Sequence, residues 1–582
     1  MDFQHIRKKV FGELNKTNRC EIVDSNHIKK LGFNGFVAVW KVFSELYFSQ
    51  EEASLAAFYI CLPFEFPLEV PSVYLSREDC ARTGHLPHVN AKGNVCAFDS
   101  DNVTLNPDEP LEIVRICLVE SKRTIEKELR ECKSSSFQEE FIAYWEGIYN
   151  KRDKVVKGLS MLSGDLLPVR APTLAILHEP AGSFEIILHD DGEDATKFKH
   201  FLSERNRRFH EFKTFYIGDV AGITPPFYLT NLAAIQFIEQ HAPAQTGAFE
   251  DYINSSKKPV VIFSTVVGGN RLFFGWIHRS VKQRDGFRQG KPKTSVAMRS
   301  FGSTQGVHRL KFESLTQKRL SLRTDGKIRL DTLSLALVGL GSIGSHLLHF
   351  LASLPVGEFR LVDTDVLKIE NINRHLLGFE YVGVRKAHAL QDFLIRQDPI
   401  RSVRISTDTV VKIVDKHPEY FNECDAVFIA IGKTSIEGYL VDSLRGGVLR
   451  KPLFILWVEP FMVAGHLIYV PAESTLDYKK LFKDGLYVGN AIEAVEYGKE
   501  SNQMLMKEAG CQSAYIPYGQ EYVTLFLSRL YIEIRQLIRQ PQEKALSYTW
   551  VGNISEATER GLGLSTNVSG FGTNDVITTT LE

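Results

Sequence analysis

The stretch Val338-Gly339-Leu340-Gly341-Ser342-Ile343-Gly344 sets three glycines in the spacing G-x-G-x-x-G, between an apolar run from Leu333 to Val338 and a helix-compatible run from Ser345 to Leu354. Such a turn restricts the fold. Its glycines let the backbone approach a phosphate closely, and the first amides of the following helix face the phosphate oxygens. Strand candidates recur at Phe359 to Val362, Ala426 to Ala430, Leu453 to Val458 and His466 to Val470. From about Lys327 onward the chain therefore reads as alternating β and α, an α/β Rossmann-like sheet. Asp363 ends the second strand, where a carboxylate accepts ribose hydroxyls, and both a dinucleotide and a nucleoside triphosphate fit this much of the pattern.

A chain of 582 residues exceeds one hydrophobic core, so a multidomain protein is expected. Residues 1–157 read as an α+β domain. Phe36 to Trp40 and Leu55 to Leu62 suit neighbouring strands, Pro63, Pro67 and Pro71 interrupt pairing, and Pro110 opens a helix through Ile113, Ile116 and Cys117. Phe137, Phe141, Trp145 and Ile148 recur at helical spacing. Residues 158–325 mix short β-like runs (Thr173 to Leu177, Phe184 to Leu188, Val260 to Ser264) with a helix-like run from Thr230 to Gln240, giving a central α/β or α+β linker or docking domain. Gly268-Gly269-Asn270 reads as a turn, Phe273, Phe274 and Trp276 as core, and the polar stretch from Gln283 to Gln305 as loop. Residues 326–582 complete the chain, with Gly561, Gly563, Gly570 and Gly572 marking a flexible tail.

Charged residues make up 24% of the chain and the formal net charge is -1, which gives no global signal for nucleic acid. The basic stretch from Arg279 to Lys293 reads as a solvated loop. No apolar run approaches the ~20 residues that span a bilayer, and the amino terminus lacks a secretory pattern, so a cytoplasmic protein is expected. The eight cysteines, Cys20, Cys61, Cys80, Cys96, Cys117, Cys132, Cys424 and Cys511, form no C-x-x-C pair. Neither a zinc knuckle nor a thioredoxin motif is legible, and no metal-ligand set is assigned.

The run Asp363-Thr364-Asp365-Val366-Leu367-Lys368-Ile369-Glu370-Asn371-Ile372-Asn373-Arg374, followed by Gly383-Val384-Arg385-Lys386, resembles the adenylation domains of ubiquitin-activating enzymes and their bacterial MoeB/ThiF relatives. That resemblance implies ATP with Mg2+ as cofactor, bound over Gly339, Gly341 and Gly344. Asp363 would hold the ribose, Asn371 and Arg374 would contact the triphosphate, and Lys386 would neutralise charge at the α-phosphate as a substrate carboxylate attacks. The chemistry is consistent, since such transfers rest on positioning and cationic stabilisation of developing oxyanion charge. The sequence departs from the family at Gly432, where an aspartate that helps hold magnesium is expected. Asp365, Glu459 or the triphosphate itself are the alternatives for that ion.

Cys511 precedes a helix in which Val523, Phe526, Leu530, Ile534 and Leu537 share a face. In the resembling family, most of all in the atypical activating enzymes of autophagy, a cysteine on such a segment takes the acyl group from the adenylate. The amino-terminal domain resembles the ubiquitin-conjugating fold, through Leu62-Pro63-Phe64-Glu65-Phe66-Pro67 and Gly93-Asn94-Val95-Cys96. Cys96 then corresponds to the active cysteine. The family's His-Pro-Asn is here Leu86-Pro87-His88, so His88 stands where an asparagine supports the oxyanion or the active-site loop, and it serves either as an oxyanion donor or structurally.

Together the two ends resemble the fused ubiquitin-activating and ubiquitin-conjugating-like enzymes of bacterial CBASS antiphage systems. The resemblance implies that Arg374 and Lys386 serve adenylation of a protein carboxy terminus, which passes as a thioester to Cys511, then to Cys96, then to a lysine-bearing target. The implied partner is a cGAS/DncV-like nucleotidyltransferase, or alternatively a ubiquitin-like protein, with no membrane or nucleic acid involved. A homodimer is implied as well, with Arg319, Arg323 and Arg329 as candidates for an arginine contributed across its interface. The alternatives are sulfur-carrier activation, in which Cys96 is incidental, and a non-catalytic nucleotide-binding scaffold.

Overall fold

The computed structural model describes the chain except for residues 1, 34, 49–52, 91, 99–102, 132–136, 138–139, 149–152, 163–170, 224–226, 268, 280, 282–291, 317–318, 321, 323–332, 500–503, 505, 508–513 and 582. Cys132, Cys511, Arg323, Arg329, Gly268 and most of the basic stretch after Arg279 lie outside the described residues. The chain forms two compact units, Met1–Gly192 with Asn206–Thr316, and Glu193–Arg205 with Gln317–Glu582.

In the first unit, Asp2 accepts the Gln4 and His5 amides and so starts the helix Phe3–Thr17. Four strands follow as an antiparallel meander: Arg19–Ile22, Ala38–Tyr47, Ala53–Leu62 and Ser72–Leu75. Trp40 faces Ile60 and Val42 faces Phe58 across the central pair, and alternate residues fill a core with Val10, Leu14, Val114 and Ile125. Pro110 opens the helix Pro110–Glu131 as expected; it buries Ile113, Val114, Cys117, Leu118, Ser121 and Ile125.

The same unit carries a second sheet of eight strands, in the order Phe209–Lys213, Thr173–Ala181, Phe184–His189, Lys154–Ser160, His308–Ser314, Asn270–Ile277, Val260–Val267 and Phe215–Asp219. Phe273, Phe274 and Trp276 are buried in it, as the sequence suggests. The helical spacing from Phe137 produces the helix Phe141–Glu146, which packs Phe141 and Trp145 on Phe263 and Phe274 of this sheet. Trp145 Nε1 donates to the Leu310 carbonyl at 2.9 Å, and the fully buried Arg309 pairs with Asp153 at 2.6 Å. Within the polar stretch read as loop, Thr294–Arg299 forms a short helix.

The second unit is built on a mixed sheet in the order Ser402–Ser406, Val356–Val362, Leu333–Val338, Ala426–Ile429, Leu453–Val458, Ala464–Val470, Ala545–Val551 and Val576–Leu581. The first five strands are parallel and the last three pair antiparallel. Period-two alternation sends Leu335 and Leu337 into one core, and Ala336 and Val338 into the other. Both faces are thus covered, which explains the continuous apolar run. Helices Ser342–Leu351, Lys386–Gln397 and Gln520–Arg539 close the first face, the last through Val523, Phe526, Leu530, Ile534 and Leu537. The chain moves outward one way from Leu333–Val338 and returns on its other side at Ala426–Ile429, which makes a topological switch point there.

The flexible tail expected after Gly561 is corrected: Val576–Leu581 is an edge strand in register with Ala545–Val551, preceded by the helix Ile554–Glu559. The glycines mislead because they serve turns; Gly561 and Gly570 have φ of 69° and 84°. Among the described residues, no helix is long and apolar enough to cross a membrane.

Candidate active site

The glycine loop leaves the carboxyl end of Leu333–Val338 with Gly339 at φ 86°. A Cβ at Gly339 would stand 2.6 Å from the Ala430 carbonyl oxygen, and one at Gly344 would stand 1.9 Å from that of Gly339. Backbone therefore closes both positions to any side chain. At Gly341 a Cβ meets nothing within 4 Å, because this residue faces a cavity of about 270 Å³ at the switch point. Gly341, Ser342, Asn371, Arg374, His375, Lys386, Gly432, Trp457, Ile516 and Tyr518 are among its lining residues.

Asp363 and His375 pin the loop. Asp363 Oδ2 accepts the Leu340 N–H at 2.7 Å, and its Oδ1 accepts the Asp365 N–H at 2.7 Å. Burial pushes the Asp363 carboxyl above its ordinary value, against Lys386 and these two amides. His375 Nδ1 accepts the Leu377 N–H at 3.0 Å, which assigns the ring proton to Nε2, 2.9 Å from the Leu340 carbonyl oxygen. Burial holds this imidazole down at about 4.

Asn371 Oδ1 accepts the Lys368 N–H at 3.1 Å, which turns its NH2 into the end left to donate. The Arg374 guanidinium lies 5.9 Å from the Tyr518 ring centroid. Lys386 opens the helix Lys386–Gln397; its buried side chain reaches Asp365 Oδ2 at 3.0 Å. Burial would raise the Asp365 carboxyl, yet Lys386 and Lys433 hold it below the usual carboxylate range.

This donor set fits a polyphosphate. Cations and loop amides converge on one cavity, and the Ser342 hydroxyl beside it is buried without a hydrogen-bond partner among the described residues. For magnesium the sequence left three alternatives, and Glu459 is corrected. It is 2% exposed; its oxygens accept from His466 Nε2 (2.8 Å), the Ala491 and Ile492 amides (2.6 and 2.9 Å) and the Tyr497 hydroxyl (3.1 Å). A carboxylate engaged four times inside the core has no share in the cavity. Gly432 lines the cavity at φ 67° and offers no ligand side chain. Of the three alternatives, Asp365, exposed and paired with Lys386, and the triphosphate itself would be left to hold the ion.

Cys96 lies in the first unit. It is exposed, whereas Cys20, Cys61, Cys80, Cys117 and Cys424 are buried or half-buried. Burial pushes the thiol of Cys80 up to about 11 and that of Cys117 to about 12, which makes them poor nucleophiles. The Cys96 N–H donates to the His88 carbonyl at 2.8 Å, beside the antiparallel bridge Val89–Val95. His88 has φ 62°, a left-handed conformation that asparagine and histidine both tolerate better than most residues. That shared tolerance is a physical reason for histidine at this position.

The sequence reading missed Glu140. Its Oε1 lies 2.5 Å from His88 Nδ1, and its Oε2 accepts the His88 N–H at 2.9 Å and the Tyr144 hydroxyl at 2.8 Å. No local signal marks it, since it stands 52 residues from His88. His375 was missed too, although its place directly after Arg374 was a clue.

A glycine loop at a switch point, with cations gathered over it, defines a nucleotide-binding α/β domain. Residues 316–443 match the family model described as ThiF family, and residues 42–154 match that of prokaryotic E2 family B. The chain thus carries a ThiF adenylation domain and an E2-like domain, the make-up of a fused E1/E2-like enzyme. The ATP-dependent ubiquitin transferase-like protein Cap2 of Pseudomonas aeruginosa is a distant relative, 25% identical over 191 residues, 32% of this chain and 32% of that protein. The probable adenylyltransferase/sulfurtransferase MoeZ of Mycobacterium tuberculosis is 33% identical over 85 residues, 14% of this chain and 22% of that one. The chain spans about a fifth to a third of the length of these curated relatives. The solved structure of E. coli MccB with ATP covers 45% of this chain and 66% of that one, at 12% identity and a TM-score of 0.27, a likeness too low to bear on the fold.

Proposed function

We propose that the protein is an ATP-dependent conjugating enzyme: it adenylates the carboxy terminus of a partner protein, carries it as a thioester on Cys511 and then Cys96, and delivers it to a lysine amine. The observation that carries this reading is the convergence of Asn371, Arg374 and Lys386 with Gly341 and Ser342 on one cavity. In that cavity Arg374 and Lys386 supply the positive charge that an attacking carboxylate and a departing pyrophosphate require. Ile516, five residues after Cys511, lines the same cavity, and five residues of chain span at most about 18 Å. Cys96 is an exposed thiol in the E2-like domain. The working division is 1–157, 158–325 and 326–582. The Cap2 relative, by its description a ubiquitin transferase-like protein, supports conjugation as the activity. The partner we read from the sequence resemblance is a cGAS/DncV-like nucleotidyltransferase primed for antiphage signalling, in a cytoplasmic setting and with the enzyme as a homodimer.

A second reading, sulfur-carrier activation, draws on the MoeZ relative. The test incubates the full chain with ATP, Mg2+ and a cGAS/DncV-like candidate partner. Reductant-sensitive adducts are expected, with Cys511→Ala abolishing both and Cys96→Ala retaining the first. ATP–pyrophosphate exchange without any thioester would favour the sulfur-carrier reading and defeat the relay.

A further inference from the structure

We propose that His88 is the general base for aminolysis at Cys96 and that Glu140 is its positioning residue. The proposal rests on Cys96 being the acyl carrier argued above. Its basis is the set of bonds around one imidazole. Glu140 Oε1 stands 2.5 Å from His88 Nδ1, so the carboxylate draws the ring proton to Nδ1. A neutral His88 then presents Nε2 as a lone pair. It cannot donate from Nε2 to an oxyanion, the role an asparagine amide would fill, but it can accept a proton.

The support for Glu140 is itself built. Its Oε2 takes the His88 N–H at 2.9 Å, so one carboxylate fixes both the backbone and the ring of His88. The Tyr144 hydroxyl donates to the same oxygen at 2.8 Å, and Tyr144 is buried in the helix Phe141–Glu146. The Cys96 amide is tied to the His88 carbonyl at 2.8 Å, and the Val89–Val95 bridge sets His88 and Cys96 opposite each other. Helix, carboxylate and imidazole are therefore linked in one chain of side-chain contacts, and the backbone pairing sets Cys96 opposite the residue that carries that imidazole.

In the step this serves, the nitrogen lone pair of a lysine attacks the thioester carbonyl carbon. A C–N bond forms, the nitrogen's proton passes to His88 Nε2, and the C–S bond breaks with its electron pair on sulfur. The proton then moves from the imidazolium to the departing Cys96 thiolate. Amine and thioester become amide and thiol, with no further reactant.

The test uses the full chain loaded without adenylation, by exchange with the benzyl thioester of N-acetylglycine, and peptide mass spectrometry reads the acyl group on Cys96. Discharge to free lysine is compared with discharge to hydroxylamine, a nucleophile that is already neutral and needs little base assistance. For His88→Asn and Glu140→Gln the lysine-to-hydroxylamine rate ratio is expected to fall about 100-fold, the scale of general-base catalysis, through the maximal rate more than the half-saturating lysine concentration. Glu140→Asp should restore part of the ratio. A ratio unchanged in both variants overturns the proposal, even where both rates fall together. Failure of wild-type Cys96 to load overturns the acyl-carrier reading and the proposal with it, whereas loading with an unchanged ratio overturns the proposal alone.

Discussion

Asp363 and His375 hold opposite ends of one residue: the Asp363 carboxylate takes the Leu340 N–H at 2.7 Å, and His375 Nε2 faces the Leu340 carbonyl oxygen at 2.9 Å. Leu340 lies between the first two glycines of the loop, so its orientation sets which way the Gly341 and Ser342 amides point. The segment leaving the strand Val356–Val362 at Asp363 and the turn after Arg374 thus converge on the peptide that shapes the phosphate cradle.

His375 makes this grip sensitive to acid. Its folded value of about 4 lies below the ordinary 6.5, so between these values the unfolded chain binds a proton that the native one refuses. Stability from this residue is full above pH 6.5 and is lost as pH falls toward 4, by up to about 3 kcal/mol. A proton on Nδ1 would also face the Leu377 N–H donor. Urea unfolding from pH 7 to pH 4.5 should show the stability gap between wild type and His375→Gln shrinking with acid. A constant gap would show that folding does not lower the His375 value.

The glycines should separate by role. Gly344→Ala drives a Cβ into the Gly339 carbonyl and should cost about 1–3 kcal/mol together with nucleotide binding. Gly341→Ala meets no atom within 4 Å, so its melting temperature should match wild type while ATP affinity falls, because the methyl enters the cavity. Calorimetry with ATP and thermal melts distinguish the two; equal destabilisation would refute this division.

Glu459 and Asp365 should behave as opposites. Glu459→Ala strands two buried amides, the Tyr497 hydroxyl and His466, and should cost about 3–5 kcal/mol in chemical denaturation. Asp365 is 67% exposed, and Asp365→Ala should stay within about 1 kcal/mol of wild type. The magnesium concentration needed for ATP binding should rise in Asp365→Ala. No change in that requirement would remove Asp365 as a ligand.

Lys386→Ala should lower ATP–pyrophosphate exchange by about 10²–10³-fold, the effect of removing one charge stabiliser from a preorganised site. Its partner Asp365 stays solvated, so the fold should change by no more than about 1 kcal/mol. Exchange at the wild-type rate would dismiss Lys386 from the adenylation step.

The site was legible wherever its residues lie in one stretch. Gly341, Asn371, Arg374 and Lys386 were found through short motifs, and they line one cavity. Glu459 looked available for magnesium because its sequence position says nothing of Ile492, 33 residues on, whose amide it binds. The chain after Gly561 looked flexible because glycines that make turns and glycines that make linkers are the same letters. Helix Phe141–Glu146 was visible as periodicity, but its packing on the eight-stranded sheet was not.

The sequence by itself determined the α/β order after Lys327 and the glycine loop, since both are local patterning of apolar residues and glycine, while the cationic set over the loop and Cys96 in a conjugating-like segment came from the resemblance of short runs to known families. Only the tertiary structure decided that His375 grips Leu340 from 35 residues away, that Glu459 is structural, and that Glu140 sets the tautomer of His88. A single hydrogen bond between remote residues imposes no period on the chain between them, so it exists as information only once the chain has folded.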